Sequence, residues 1–154
     1  MTVGQSEGDV ETSTGERTTI AAEYLFTVHF ELTKPVVMSG APDGGRLFIG
    51  VLDGTVKGPR VNGRLMPFVG TSWITLRDNS FADVESTAVI TTDDHATIAM
   101  RSTGIAYNGP NPYRRLAVRF ESGRDDYRWL NNVQAVGRGV PGRDEATWDV
   151  FAIL

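Results

Sequence analysis

Two short strand-like runs carry the side chains best suited to proton transfer and charge stabilisation. In Tyr24-Leu25-Phe26-Thr27-Val28-His29-Phe30-Glu31-Leu32, His29 and Glu31 stand two residues apart. Along an extended chain such positions project from the same face of a sheet. An imidazole beside a carboxylate on a cavity-lining face makes a general acid/base pair. On a face turned to water they are the polar side of an amphipathic strand. Arg119 and Glu121 repeat the spacing, with Leu116, Val118 and Phe120 on the opposite face. Facing a lumen, they can orient a substrate carboxylate or enol. Facing solvent, they form an ion pair of little energetic weight.

Trp73, Trp129 and Trp148, with Tyr107 and Tyr127, supply enough aromatic surface to line an apolar pocket. Tryptophans at strand ends also plug a barrel or close its mouth, burying about 150–250 Å² each. Trp73 is a candidate ligand contact because it ends the glycine-rich stretch Asp53–Trp73, and glycine lets backbone come close. Asp93-Asp94-His95 reads as a turn held by local side-chain hydrogen bonds rather than as a metal cluster. With no cysteine and only two histidines, thiolate chemistry and a three-histidine site within one chain are excluded, and no metal is expected. Gly58-Pro59-Arg60 lacks the lysine–hydroxyl pair and the following helix of a phosphate loop. A nucleophile elbow and a dinucleotide fingerprint are absent too, so no cofactor is expected.

The elements that must position these residues are strands. Period-two alternation runs through Tyr24–Leu32 and ends at Pro35. Ser39–Arg46 is turn chemistry before a strand at Leu47–Leu52. Arg64–Met66 and Trp73–Leu76 are short strands. Val84–Thr92 and Thr97–Arg101 form a hairpin about Asp93–His95. Asn108–Pro112 is a loop, Leu116–Glu121 a strand, and Asp125–Asn131 suits a single helical turn capped by Asp125. Trp129–Val136, a Gly/Pro turn at 137–142 and a strand Thr147–Leu154 close the chain. Eight to ten short strands separated by turns predict an all-β fold. We expect a single antiparallel β-barrel, lipocalin-like in shape.

The chain has 154 residues and is 40% apolar, enough for one domain with a real core. Glu7, Asp9, Glu11 and Glu16 stand against Arg17 alone in the first twenty residues, so most of the formal charge of −4 sits there. So polar and acidic a segment buries too little apolar surface to offset its ordering entropy. Residues 1–21 are therefore expected to be a disordered tail and 22–154 the barrel domain. No basic stripe marks a nucleic-acid partner. No apolar run approaches the roughly 20 residues of a membrane helix. No signal peptide is indicated, and a cytoplasmic location is the expectation.

Three blocks stand in order: GTVKGPRVNG…GTSW, ITTDDHATI and RFESGRDDYRWLNN. Together they resemble the DUF3237 (UPF0311) family, over about Tyr24 to Leu154. The resemblance implies an antiparallel β-barrel and no single activity. Arg60 and Asn131 become candidate ligand contacts because they lie inside the two most specific blocks. The chain departs from the family pattern in three places. Ser72 stands before Trp73 where an aspartate is usual, His95 replaces the glycine of a Thr-Asp-Asp-Gly turn, and Glu85 stands for a strand aspartate.

The leading expectation is a cofactor-independent enzyme acting inside the barrel on a hydrophobic small molecule, aromatic or polyketide-type. Cyclisation, isomerisation and dehydration need shape, proton transfer and electrostatics. In that scheme Trp73 and Trp129 shape the pocket, His29 or Glu31 moves the proton, and Arg119 stabilises negative charge. A non-catalytic carrier of a small ligand needs the same pocket. A structural subunit that dimerises through its outer strands is the third reading.

Overall fold

The computed structural model describes Gly15 and residues 17–154, and in it the period-two pattern becomes a closed antiparallel barrel. Its strands are β1 (Ala22–Leu32), β2 (Val36–Met38), β3 (Arg46–Lys57), β4 (Gly63–Leu65) and β5 (Thr71–Leu76). β6 (Phe81–Thr92), β7 (Thr97–Tyr107) and β8 (Tyr113–Ser122) follow, and a 3-10 helix (Asp125–Asn132) leads to β9 (Ala135–Pro141) and β10 (Glu145–Ile153). β6 through β10 pair in sequence order, β10 pairs with β1, and β1 pairs with β3. The circuit closes because β4 and β5 share the place between β3 and β6. This makes eight barrel positions, with no open edge around the ring. β2 pairs only with β3. No helix among the described residues is long and apolar enough to cross a membrane.

Alternation decides which side chains enter the barrel. Phe26, Val28 and Phe30 of β1 are buried, whereas Thr27 and His29 are half-buried and Glu31 is exposed on the outer face. On β8, Leu116, Val118 and Phe120 point inward, and Arg119 and Glu121 point out. The inward set joins Val84, Ile90, Ile98, Leu130, Trp148 and Val150 in one core.

The two ends of the barrel differ. Beneath the 3-10 helix, Leu130 and Val61 are fully buried, and Phe26 meets Phe120 edge-on at 5.8 Å between centroids. That end is plugged. The other end is ringed by the break Thr33–Pro35, the loop Asn108–Pro112 and the turn Gly142–Asp144, and it is the mouth.

Several boundaries differ from expectation. The turn predicted at 137–142 is mostly strand, because Gly137 and Gly139 give β9 room against bulky neighbours on β8 and β10. β3 runs on through Asp53–Lys57, past the expected strand end at Leu52. The helical turn at Asp125 forms, but its N-cap is Arg124, without a side-chain cap. Of the predicted acidic tail, residues 1–14 and 16 lie outside the described residues. Arg17–Ala21 is exposed and irregular.

Candidate functional site

Three inward positions near the mouth are occupied by groups that a barrel core seldom holds. Val28, Trp148, Gly139, Arg114 and Ala106 lie side by side on successive strands and form one inner row. Arg114 shares the parity of Leu116 and Val118, so the pleat of β8 aims it inward. Trp148 is 2% exposed and stacks on Phe30 with centroids 4.5 Å apart. Gly139 leaves room that the Trp148 indole fills on one side and Arg114 borders on the other. A Cβ there would stand 3.0 Å from the Trp148 Nε1 and 3.4 Å from the Arg114 Cβ.

Both donors are orphaned. The Nε atoms of Arg114 and the Nε1 of Trp148 are buried without a hydrogen-bond partner among the described residues. No carboxylate there forms an ion pair with Arg114, and burial pushes its guanidinium below the ordinary arginine value. An arginine nevertheless keeps its proton. Buried donors left unpaired cost about 1–3 kcal/mol each, more when charged. Each calls for an acceptor, water or ligand.

A cavity of about 180 Å³ opens from Arg114 to the mouth. Ile49, Ile74, Ala106 and Leu47 give it apolar walls, and Asn108 and Thr33 add polar edges. Asp144 and Glu145 bring carboxylates to the rim. The rim is tied down by backbone: Leu32 N–H donates to the Asp144 carbonyl, and Thr33 N–H to that of Gly50 (both 2.9 Å). Two inward positions deeper in the barrel lies a row of hydroxyls. Ser72 and Ser86 share a hydrogen bond of 2.7 Å, and the Ser102 Oγ beside Ser86 is buried without a partner.

The residues singled out from the sequence fall mainly elsewhere. His29 sits outside the barrel, its Nδ1 3.0 Å from Thr147 Oγ1 and its Nε2 3.7 Å from Glu145 Oε2. The polar alternative for the strand face of His29 and Glu31 is the one observed. Arg119, Glu121 and Asn131 do come together, around an open hollow on the outer surface that Arg101 completes. There Asn131 is committed to the Ser122 backbone, accepting from its N–H at 2.7 Å and donating to its carbonyl at 2.9 Å. Arg60 lies over the Trp129 ring at 3.7 Å, at the plugged end. Tyr107 stacks between Phe81 and Tyr113. Trp73 is 49% exposed, packed edge-on against Phe48 beneath Arg46, and faces neither the core nor the lumen.

Asp94 belongs to the plug. It accepts from Thr92 Oγ1 (2.5 Å), Arg124 (2.5 Å) and the Tyr127 hydroxyl (2.9 Å), and the Thr92 hydroxyl chiefly holds its carboxyl below the usual range. No group of three or more His, Cys, Asp or Glu side chains suited to a metal occurs among the described residues. The signal for Arg114 was present in the sequence, since it is a charge at the apolar parity of Leu116 and Val118. It went unread because the strand was expected to start at Leu116.

The comparisons with known proteins agree with this architecture. The family model "Protein of unknown function (DUF3237)" matches residues 20–153. The UPF0311 protein RPA1785 of Rhodopseudomonas palustris is 28% identical over 152 residues, covering 88% of this chain and 98% of that one. The crystal structure of the R. palustris protein superposes with a TM-score of 0.82 at 27% identity, over 90% of this chain and all of the other. A protein from Acinetobacter baumannii described as β-barrel-like gives a TM-score of 0.83 at 21% identity, covering 91% and 99%. A structure described as an enzyme from Penicillium herquei gives 0.67 at 22% identity, covering 88% and 98%. The three sequence blocks, the closed barrel and these matches together establish that the chain belongs to the DUF3237 (UPF0311) family.

Proposed function

We propose that the chain is a small-molecule enzyme of cyclase, isomerase or dehydratase type, whose substrate enters the mouth and is held by Arg114. The observation that carries this reading is the unpaired, permanently charged guanidinium at the end of an apolar cavity. Donors fixed in a site of low polarity stabilise charge as it develops, and they need no reorganisation when it does. In this scheme the rim carboxylate of Asp144 removes a proton α to a substrate carbonyl. The electron pair moves to the oxygen, and Arg114 stabilises the resulting enolate. Returning the proton to another carbon isomerises the substrate, expelling a β-hydroxyl as water dehydrates it, and attack on an internal electrophile cyclises it. The Penicillium herquei neighbour offers a precedent for catalysis on this fold only, and the argument rests on Arg114. The outer hollow around Arg119 is a weaker candidate, because charges in water interact weakly.

The test is proton exchange. Phenylpyruvate, an enolisable aryl keto acid, is incubated in D2O and deuterium at its benzylic carbon, next to the keto group, is followed by mass spectrometry. Exchange faster than in buffer is expected, falling about 100-fold in Arg114→Met, the loss typical of one oxyanion donor. Exchange at the uncatalysed rate would contradict the enzymatic reading. One observation favours a second reading, a non-catalytic carrier: the ionisable group facing the lumen, Arg114, does not give up its proton.

A further inference from the structure

We infer that the recognition element of the ligand is the carboxylate of a single-ring acid, bound by the Arg114 guanidinium. The inference rests on the open-end cavity being the binding site, and it adds the chemistry and size of what fits there.

Three observations lead to it. The first is the donor set. Arg114 is a fixed positive charge that can only donate, so an anionic acceptor answers it best. A hydroxyl or amide oxygen also accepts, but brings no opposite charge. The second is geometry. Arg114 lines the closed end of the cavity and has no ion pair among the described residues, and a planar guanidinium takes a carboxylate in a bidentate fork. The third is volume. A dry apolar cavity of about 150 Å³ holds one benzene, and the cavity here measures about 180 Å³. It accommodates one ring against Ile49, Ile74 and Ala106 with a short acidic arm. A second fused ring would have to stand outside, among Pro35, Asn108 and Asp144.

The competing charges at the mouth do not fill this role. Asp144 and Glu145 are rim residues, and neither forms an ion pair with Arg114; Glu145 leans to His29 instead. They select against a ligand carrying a second anionic group at the mouth.

The test titrates the protein with benzoate and, in parallel, with benzyl alcohol, by isothermal calorimetry. Benzoate is expected to bind at millimolar concentration or below. Benzyl alcohol is expected to bind at least tenfold more weakly. Arg114→Met should weaken benzoate at least tenfold and Arg119→Met should not. The wild-type titration stands alone if Arg114→Met does not fold. No binding at millimolar benzoate, or equal binding of benzyl alcohol, overturns the inference. Benzoate binding without proton exchange would keep it and remove the enzyme. Turnover of a neutral or larger substrate, with benzoate inert, would do the reverse.

Discussion

A single arginine illustrates how parity assigns a role. Arg114 and Arg119 lie on the same strand and differ in one respect, which side of the pleat they occupy. Arg119 is solvated and faces Arg101 across the sheet, whereas Arg114 is drawn into an apolar lumen where its charge acts at low dielectric. His95 shows the same dependence on local geometry. It adopts φ of +68° in the β6–β7 turn, where related chains are expected to have glycine, and a side chain there is strained. His95→Gly should raise stability by up to about 1 kcal/mol, relief of strain slightly exceeding the added freedom of the unfolded chain. Thermal unfolding checks this, and a lower melting temperature would refute it.

At the scale of elements, β9 and the 3-10 helix shape the two ends of the barrel. Gly137 and Gly139 made residues 137–142 look like a turn, because glycine signals a turn when the neighbouring strands are unknown. In place, Gly139 is the space that the Trp148 indole fills; an added Cβ would stand 2.6 Å from its Cδ1. Gly139→Ala should cost about 1–3 kcal/mol by overpacking and should shift the near-ultraviolet circular dichroism that reports Trp148. Unchanged stability would mean that the indole does not occupy this gap. The opposite end depends on Asp94, which ties the β6–β7 turn to Arg124 and Tyr127 of the plug. Its hydrogen bonds hold the carboxyl below the ordinary aspartate value of 3.8. The folded state therefore binds that proton less readily than the unfolded chain. The stabilisation is complete above that ordinary value and is lost as pH falls through the lowered one. Melting temperature should decline steeply below about pH 4, and Asp94→Asn should flatten that decline. An identical slope in the variant would remove Asp94 from the plug.

For the whole molecule, the closed barrel was legible from the amino acids, because alternating strands and frequent turns leave few other ways to bury 40% apolar residues. The face of each strand that becomes the lumen was not, since a run such as Phe26–Glu31 reads equally well with either face inside until closure decides. The site followed the same limit. Trp148 could be named as an aromatic lining residue, but its place in one inner row with Arg114 depends on β9 passing between β8 and β10, a pairing no local pattern encodes. His29, Glu31, Arg119 and Glu121 were chosen for chemistry that their outward parity leaves in water.

The central claim is that function resides at the mouth of the lumen and not on the outer surface. Comparing Arg114→Met with Arg119→Met in the phenylpyruvate exchange assay separates the two on one strand. Exchange lost about 100-fold in Arg114→Met and retained in Arg119→Met is the predicted result. Loss confined to Arg119→Met would contradict it and move the site to the outer face.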